Sequence, residues 1–479
     1  MTVTRTGIRS FGAYLPRRRL QRAAIAAAHA WALPGLKGMA KGERTMCAWD
    51  EDAITMAVEA GRDALRGHDR AKVAGVTLAS TTAPYADLQN AVLVNAALSL
   101  DATAGAADQS GSTRAGLAAL IQACDGSRPR LVIGSERRLA KPGSAQEMSF
   151  GCGAAALLTG SGEDLIARFV GSESRSIPFI DHFRQSAEKH GYHWEERWIR
   201  DEGISGIVPQ AISALLKRLG RSAADVACFG LSGGIAGTDK LVAKQLGIAP
   251  DRLLPDLQAQ VGDTGAAHAL LQLVAALERA KPGDLIVVAA FAQGCETLAF
   301  EMLAEPTATG RRGLAGSLAQ RVEETSYLKM LSFDGELQLE WGMRAETDNK
   351  TALTQLYRSA NQIFGFSGGR CGVCGTVQFP RMPACVNCGA IDSQQPHALA
   401  EEPAQVATYT ADWLQYSQSP PLYMGLVQFD VGARLLMEIV DVGSAGIDVG
   451  TPLEMRLRIK ERDGLRHFDR YFWKATPPH

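Results

Sequence analysis

Two stretches of the chain repeat one another, and this duplication limits the fold more than any other feature. The run AKVAGVTLAST, Ala71 to Thr81, returns as ADVACFGLSGG, Ala224 to Gly234. The companion runs RPRLVIGSE and KPGDLIVVAAFAQG recur at nearly the same offset, which sets two copies of one unit roughly 150 residues apart. Between the members of each pair, a Gly-rich turn opens an Ala-rich helical pattern: SGSTRAGLAALIQA from Ser110 and GDTGAAHALLQLVAAL from Gly262. Apolar strand-like runs alternating with longer amphipathic stretches read as α/β. If the copies pack about a pseudo-twofold axis, the two helix N-termini converge, and their free N–H groups and positive potential make a natural place for chemistry.

The second constraint is a cysteine cluster. Cys371-Gly-Val-Cys374, ten intervening residues, then Cys385-Val-Asn-Cys388 give two knuckles, each able to chelate one side of a tetrahedral zinc. Four thiolates fill the coordination sphere and leave no open position, so the expected zinc is structural. Nine cysteines in 479 residues are too sparse for a disulfide scaffold. Beyond the cluster, Val406 to Tyr409, Leu422 to Phe429, Ala433 to Val440, Leu453 to Ile459 and Phe468 to Trp473 read as five short strands separated by Gly, Pro and Asp turns, which points to a small barrel of the OB type. Residues Thr347 to Phe364 read as a helix leading into the cysteines. The domain reading is therefore 1–165 and 166–325 for the two halves of the α/β region, 326–349 for a linker or docking segment, 350–392 for helix and zinc ribbon, and 393–479 for the barrel.

Charge and hydropathy narrow the partners. A net charge of −1 and the absence of any long Lys or Arg run remove the electrostatic pull towards nucleic acid or an anionic membrane. No apolar run is long enough to cross a bilayer, and Gly12, Tyr14 and Pro16 interrupt the basic N-terminus. A cytoplasmic protein acting on a small substrate is expected.

Several motifs carry a family resemblance: Gly12-Ala-Tyr14-Leu-Pro16; GERTMCAWDEDAITMAVEA from Gly42; Pro84-Tyr85; DQSGSTRAG from Asp108; and Gly262-Asp-Thr264. Over residues 5 to 345 the chain resembles the thiolase superfamily, most closely its hydroxymethylglutaryl-CoA synthase and ketoacyl-ACP synthase III branch. Residues 350 to 479 resemble the zinc-ribbon and OB-fold proteins that accompany such enzymes. The resemblance implies a duplicated five-layered αβαβα domain, a homodimer formed through it, and a coenzyme A thioester as substrate.

The family's catalytic positions fall on unusual residues here. The nucleophilic Cys falls on Thr113, with Ser112 beside it; the His falls on Gly230; the Asn falls on Asp263; and the acid Glu falls on Thr81. A hydroxyl nucleophile needs a partner base, and Asp263 and His268, one turn apart at the second helix start, are the nearest candidates. Each also suits a bland role, Asp263 as a helix cap and His268 as a packed residue. Tyr85 and Asp87 are candidates for proton transfer, and Cys295 with Glu296 for a displaced thiol or acid. The segment from His190 to Arg200 offers Arg for phosphates and Trp for stacking, or a docking surface.

Two functional readings follow. The first is an acyl-CoA enzyme making or breaking a carbon–carbon bond next to a thioester in the Claisen or aldol class, without a cysteine acyl-enzyme. The second is a non-catalytic acyl-CoA-binding or scaffold protein. An ordinary hydroxymethylglutaryl-CoA synthase-like acyltransferase would need the missing Cys, His and Glu.

Overall fold

The computed structural model describes residues 6–306 and 310–478. They form two units: residues 331–478 with the short segments Ala48–Glu51 and Asn95–Leu100 make the second, and the other described residues make the first.

The first unit is built on nine strands: β1 (Thr6–Tyr14), β2 (Gly75–Ala79), β3 (Gly105–Gln109), β4 (Leu131–Arg137), β5 (Cys152–Ser161), β6 (Ala167–Ser176), β7 (Val226–Ser232), β8 (Leu285–Phe291) and β9 (Gly294–Met302). Their order is β7-β8-β9-β6-β1-β5-β4-β2-β3. The duplication is visible in the pairing. Strands β2 and β4 run parallel, then β4–β5 and β5–β1 antiparallel; likewise β7 and β8 run parallel, then β8–β9 and β9–β6 antiparallel. The halves join edge to edge through Gly7 opposite Arg168 and Ile8 opposite Ala167. A side chain on Gly7 would collide with the Ala167 carbonyl, so glycine is required at that seam.

Four helices complete the layering: α1 (Ala53–Ala64), α2 (Ala115–Asp125), α3 (Ser205–Arg218) and α4 (His268–Arg279). Helices α2 and α4 pack together and touch strands of both halves, forming the central apolar layer with Leu117, Leu120, Leu270 and Leu273. Helix α1 covers β1 and β5, and α3 covers β6 and β9. The helices thus pack on one nine-stranded hydrogen-bonded sheet that runs through both halves, giving a mixed α/β fold with a large central sheet. The helix starts converge as the duplication implies: Gly116 at the head of α2 and Gly134 in β4 leave room for the Ala266 carbonyl, which any Cβ there would strike.

The second unit holds a three-stranded sheet in which Ser367–Cys371 lies between Val377–Gln378 and Gln394–Ala398, and a closed barrel of five strands. The barrel strands are Ala404–Asp412, Leu422–Phe429, Arg434–Ile439, Pro452–Asp463 and Phe468–Thr476. Trp473 is fully buried, stacks on Phe366 and donates its indole N–H to the Phe364 carbonyl at 2.7 Å. The helix expected over Thr347 to Phe364 is shorter and broken into Leu353–Arg358 and Ala360–Ile363. The Thr351 N–H is taken by the Asp463 carboxylate at 2.9 Å, which commits the preceding residues to the barrel. The expected linker contains the helix Tyr327–Phe333.

Candidate active site

The first unit encloses a cavity of about 360 Å³ at the start of α2. Thr113, Arg138, Phe150, Asp181, His182, His193, Trp194, Ser232 and Asp263 are among the residues that line it.

Asp263 is held by its backbone before its side chain does anything. Its N–H donates to the Ser149 carbonyl at 2.8 Å, and its own carbonyl accepts from Gly151 at 2.9 Å. Gly262 at φ +88° makes the turn, with Phe150 packed where a Cβ would go. One carboxylate oxygen accepts from the Gly265 N–H at 2.9 Å, and the other is ion-paired with Arg138 at the end of β4. Burial pushes the Asp263 carboxyl up, but Arg138, His268 and the Gly265 N–H more than offset this, so it sits below the usual range and stays charged.

From this ion pair a continuous line of contacts rounds the cavity. The Arg138 guanidinium lies 3.5 Å above the Phe150 ring centroid, and Phe150 meets His193 at 5.4 Å between centroids. His193 stacks on His182 at 5.2 Å with ring planes 12° apart. Nδ1 of His182 is 2.7 Å from the Asp181 carboxylate. A carboxylate only accepts, so Nδ1 carries the proton and Nε2 is left as a base. The second Asp181 oxygen accepts from the Gln293 amide, whose Oε1 accepts from Ser112 Oγ at 3.0 Å. Gln293 holds φ +49° in the β8–β9 turn, an uncommon conformation for a non-glycine residue. Burial, helped by His182 and Arg138, lowers the pKa of His193 to about 4. Its imidazole is therefore neutral at physiological pH.

The structure sorts the sequence candidates. Thr113 and Asp263 line the cavity, and Ser112 joins the hydrogen-bonded line through Gln293. His268 does not line it: the ring is buried behind Asp263, with Nδ1 facing the N–H and hydroxyl of Thr264 at 3.3 and 3.2 Å. Tyr85 is also elsewhere, in the loop after β2, where its backbone exchanges hydrogen bonds with the Asn90 side chain. Asp87 is exposed on the same loop. The Cys295 thiol is fully buried, and burial together with Glu296 raises its pKa to about 12, which removes it as a nucleophile. Glu296 is committed to Arg114 at 2.5 Å. From the aromatic segment, His193, Trp194, Glu196 and Ile199 do line the cavity.

At the two other substituted positions, the side chains reorganise. A Cβ on Gly230 would face Leu254 and Gln272 in the core, whereas Ser232, two residues on, lines the cavity. Thr81 donates through its N–H and hydroxyl to Glu136 at 2.8 and 2.9 Å, and Thr82 adds a third donor at 2.5 Å. A carboxyl therefore stands against the Thr81 position, buried in β4. Burial raises its pKa despite these donors.

Sequence reasoning missed Asp181, His182, Arg138 and Gln293. The first two lie in PFIDHF, which has no helical or strand period, and Gln293 shows its importance only through its turn.

In the second unit, the four sulfurs of Cys371, Cys374, Cys385 and Cys388 lie within 4.8 Å of one another. Cys371 and Cys388 are 3.7 Å apart, and Cys374 and Cys385 are 3.6 Å apart. The Val373 N–H points at the Cys371 sulfur at 3.4 Å, a donor suited to a thiolate.

Comparison with known proteins agrees with this architecture. Residues 216–301 match the family described as the C-terminal region of 3-oxoacyl-[acyl-carrier-protein] synthase III. The structure superimposes on MvaS in complex with 3-hydroxy-3-methylglutaryl coenzyme A with a TM-score of 0.59 at 17% identity, covering 70% of this chain and 92% of that one. On 3-oxoacyl-(acyl carrier protein) synthase III from Pseudomonas aeruginosa the TM-score is 0.55 at 22% identity, covering 63% and 98%. In sequence, the chain is 29% identical over 336 residues to the hydroxymethylglutaryl-CoA synthase of Methanopyrus kandleri, covering 68% of this chain and 95% of that one. It is 30% identical over 360 residues to the enzyme of the same name from Aeropyrum pernix, covering 73% of this chain and 96% of the relative. On this evidence of sequence and fold, the chain belongs to the hydroxymethylglutaryl-CoA synthase family.

Proposed function

We propose that this protein is an acyl-CoA enzyme that makes or breaks a carbon–carbon bond next to a thioester carbonyl, without a cysteine acyl-enzyme. The observation that carries the reading is the lining of the cavity: Thr113 stands just ahead of the helix start, no cysteine is among the described residues that line it, and an Asp181–His182 pair lines the same space. Family membership supports a coenzyme A thioester as substrate.

In the cleavage direction, Nε2 of His182 takes the proton of a 3-hydroxyl group. The Cα–Cβ bond breaks, its electrons pass into the thioester as an enolate, and the new carbonyl compound leaves. The enolate carbon then recovers a proton from the imidazolium, and condensation is the same path reversed. Asp181 stabilises the imidazolium, while neutral His193 and the Arg138 guanidinium supply N–H donors for developing negative charge. A thiolate is unnecessary because the thioester bond is never broken.

The second unit is read as a zinc ribbon followed by an OB-type barrel. A tetrahedral site with Zn–S bonds of about 2.3 Å requires sulfurs about 3.8 Å apart, and the separations of 3.6 and 3.7 Å fit it. Cys371, Cys374, Cys385 and Cys388 would hold the ion, which when bound braces the loops and leaves no open position for chemistry. A homodimer and a cytoplasmic location complete the reading.

The test is a panel of acyl-CoA and 3-hydroxyacyl-CoA thioesters assayed for cleavage and condensation with the full chain. Turnover that disappears in His182→Ala supports the reading. Tight thioester binding without turnover of any member replaces it with an acyl-CoA-binding protein.

A further inference from the structure

The short helix Ala145–Ser149 forms one wall of the cavity in the first unit. Ala145, Gln146, Met148 and Ser149 line the cavity, as does Phe150 just beyond them. The same wall carries the charged pair of the site. The Ser149 carbonyl accepts the Asp263 N–H at 2.8 Å, the Gly151 N–H donates to the Asp263 carbonyl at 2.9 Å, and the Phe150 ring lies under the Arg138 guanidinium. A shift of the helix therefore shifts the Arg138–Asp263 pair.

Glu147, in the middle of this helix, is not among the lining residues and is only 1% exposed. Its neighbours at i−2, i−1, i+1 and i+2 take the cavity side, which leaves Glu147 on the opposite face. There its carboxylate is filled from behind. Oε1 accepts from the Tyr327 hydroxyl at 2.8 Å, while Oε2 accepts from the Gly143 N–H at 2.7 Å and lies 3.4 Å from Nε2 of His29. The phenol has given its one proton to Glu147, so its oxygen accepts from Nε2 of His29 at 2.7 Å, which places a proton on that nitrogen. The His29 and Tyr327 rings meet edge to face, 5.2 Å between centroids. Arg44 adds a backbone tie, donating to the Glu147 carbonyl at 2.6 Å.

A buried carboxyl is a costly way to pack a helix of five residues, since an apolar side chain of similar size would need no donors. What converging hydrogen bonds supply is direction, and a reacting centre needs its groups held to within about 0.5 Å. We propose that Glu147, Tyr327 and His29 are positioning residues: they latch the helix from behind and so set Asp263 and Arg138 for the carbon–carbon chemistry. The inference rests on the reading of the cavity as an active site.

Two readouts on the full chain test it. Tyr327→Phe removes one hydroxyl and keeps the ring. On a thioester that the wild type turns over, the latch predicts that kcat falls about tenfold or more while KM changes less than about threefold, because a misplaced donor is felt most by developing charge. His29→Leu has the same effect, whereas His29→Gln, whose amide still donates to the phenol, retains the wild-type rate. The second readout, hydrogen exchange followed by mass spectrometry, needs no substrate. Peptides containing Gly151 and Asp263 exchange about tenfold faster or more in Tyr327→Phe and in Glu147→Gln, while β4 keeps its protection. Unchanged exchange in both variants, exchange that rises in β4 as well, faster exchange at unchanged kcat, a change confined to KM, or equal rates in His29→Leu and His29→Gln overturns the latch. A wild type without turnover defeats the reading of the cavity, and the exchange result then decides the latch by itself.

Discussion

Nδ1 of His182 donates to the Asp181 carboxylate across 2.7 Å, and this single bond fixes which nitrogen carries the proton. With Nδ1 protonated, Nε2 is left as a lone-pair base.

If this pair moves the proton, His182→Ala lowers kcat/KM by about 100- to 10,000-fold with the fold intact. Asp181→Asn also impairs turnover because the amide permits the wrong tautomer. Steady-state kinetics beside circular dichroism measure both. Unchanged rates in His182→Ala assign the proton transfer to another group.

His193 makes a pH prediction. Its folded pKa of about 4 lies below the ordinary value of 6.5. Between those values the unfolded chain binds a proton that the folded chain does not. Stability from this residue is therefore fully present above 6.5, declines as pH falls towards 4, and is flat below it. Thermal unfolding at successive pH values checks this: the slope between pH 6.5 and 4 flattens in His193→Gln.

The Arg138–Asp263 pair predicts an asymmetry. Arg138→Leu strands a buried carboxylate and costs about 3–5 kcal/mol, whereas replacing both residues with apolar ones costs less. The Asp263 carboxyl sits below its ordinary 3.8, so its contribution is present above pH 3.8 and is lost as pH falls through the lower folded value. Denaturant melts of the single and double variants test the asymmetry.

How far the sequence led depended on whether a property was local or assembled. The duplicated units were legible because their apolar periods repeat, and the barrel strands because Gly, Pro and Asp turns delimit them; the structure extends Val406 to Tyr409 into Ala404–Asp412 without moving it. Thr113 and Asp263 were legible because each opens a helix at a glycine-marked turn. His182 was not, since its place in the cavity wall is set by Asp181 beside it, by Gln293 across a turn 111 residues later, and by stacking against His193. His268 misled for the converse reason. Helical spacing placed it near Asp263, but Thr264 turns its ring into the core.

A buried charge cluster in the second unit gives a stability prediction. Lys474 is 2% exposed and pairs with Asp50 at 2.9 Å and Glu438 at 2.8 Å. Lys474→Met leaves two carboxylates facing each other and costs about 3–5 kcal/mol. Chemical denaturation monitored by tryptophan emission reads this, and a change under about 1 kcal/mol would show that the pair is solvated.

Metal content checks the cysteine cluster. One zinc per chain is expected, with Cys385→Ser losing it and loosening the second unit, as read by elemental analysis and protease sensitivity. Full zinc occupancy in that variant, or none in the wild type, removes the ribbon reading.

The central claim is carbon–carbon chemistry without a covalent acyl-enzyme, and intact-protein mass spectrometry during turnover addresses it directly. With 3-hydroxy-3-methylglutaryl-CoA and related thioesters as probes, the account predicts that cleavage or condensation proceeds while the polypeptide keeps its unmodified mass at every time point. An acyl adduct that forms and decays at the rate of turnover, on Thr113 or any other residue, would contradict it.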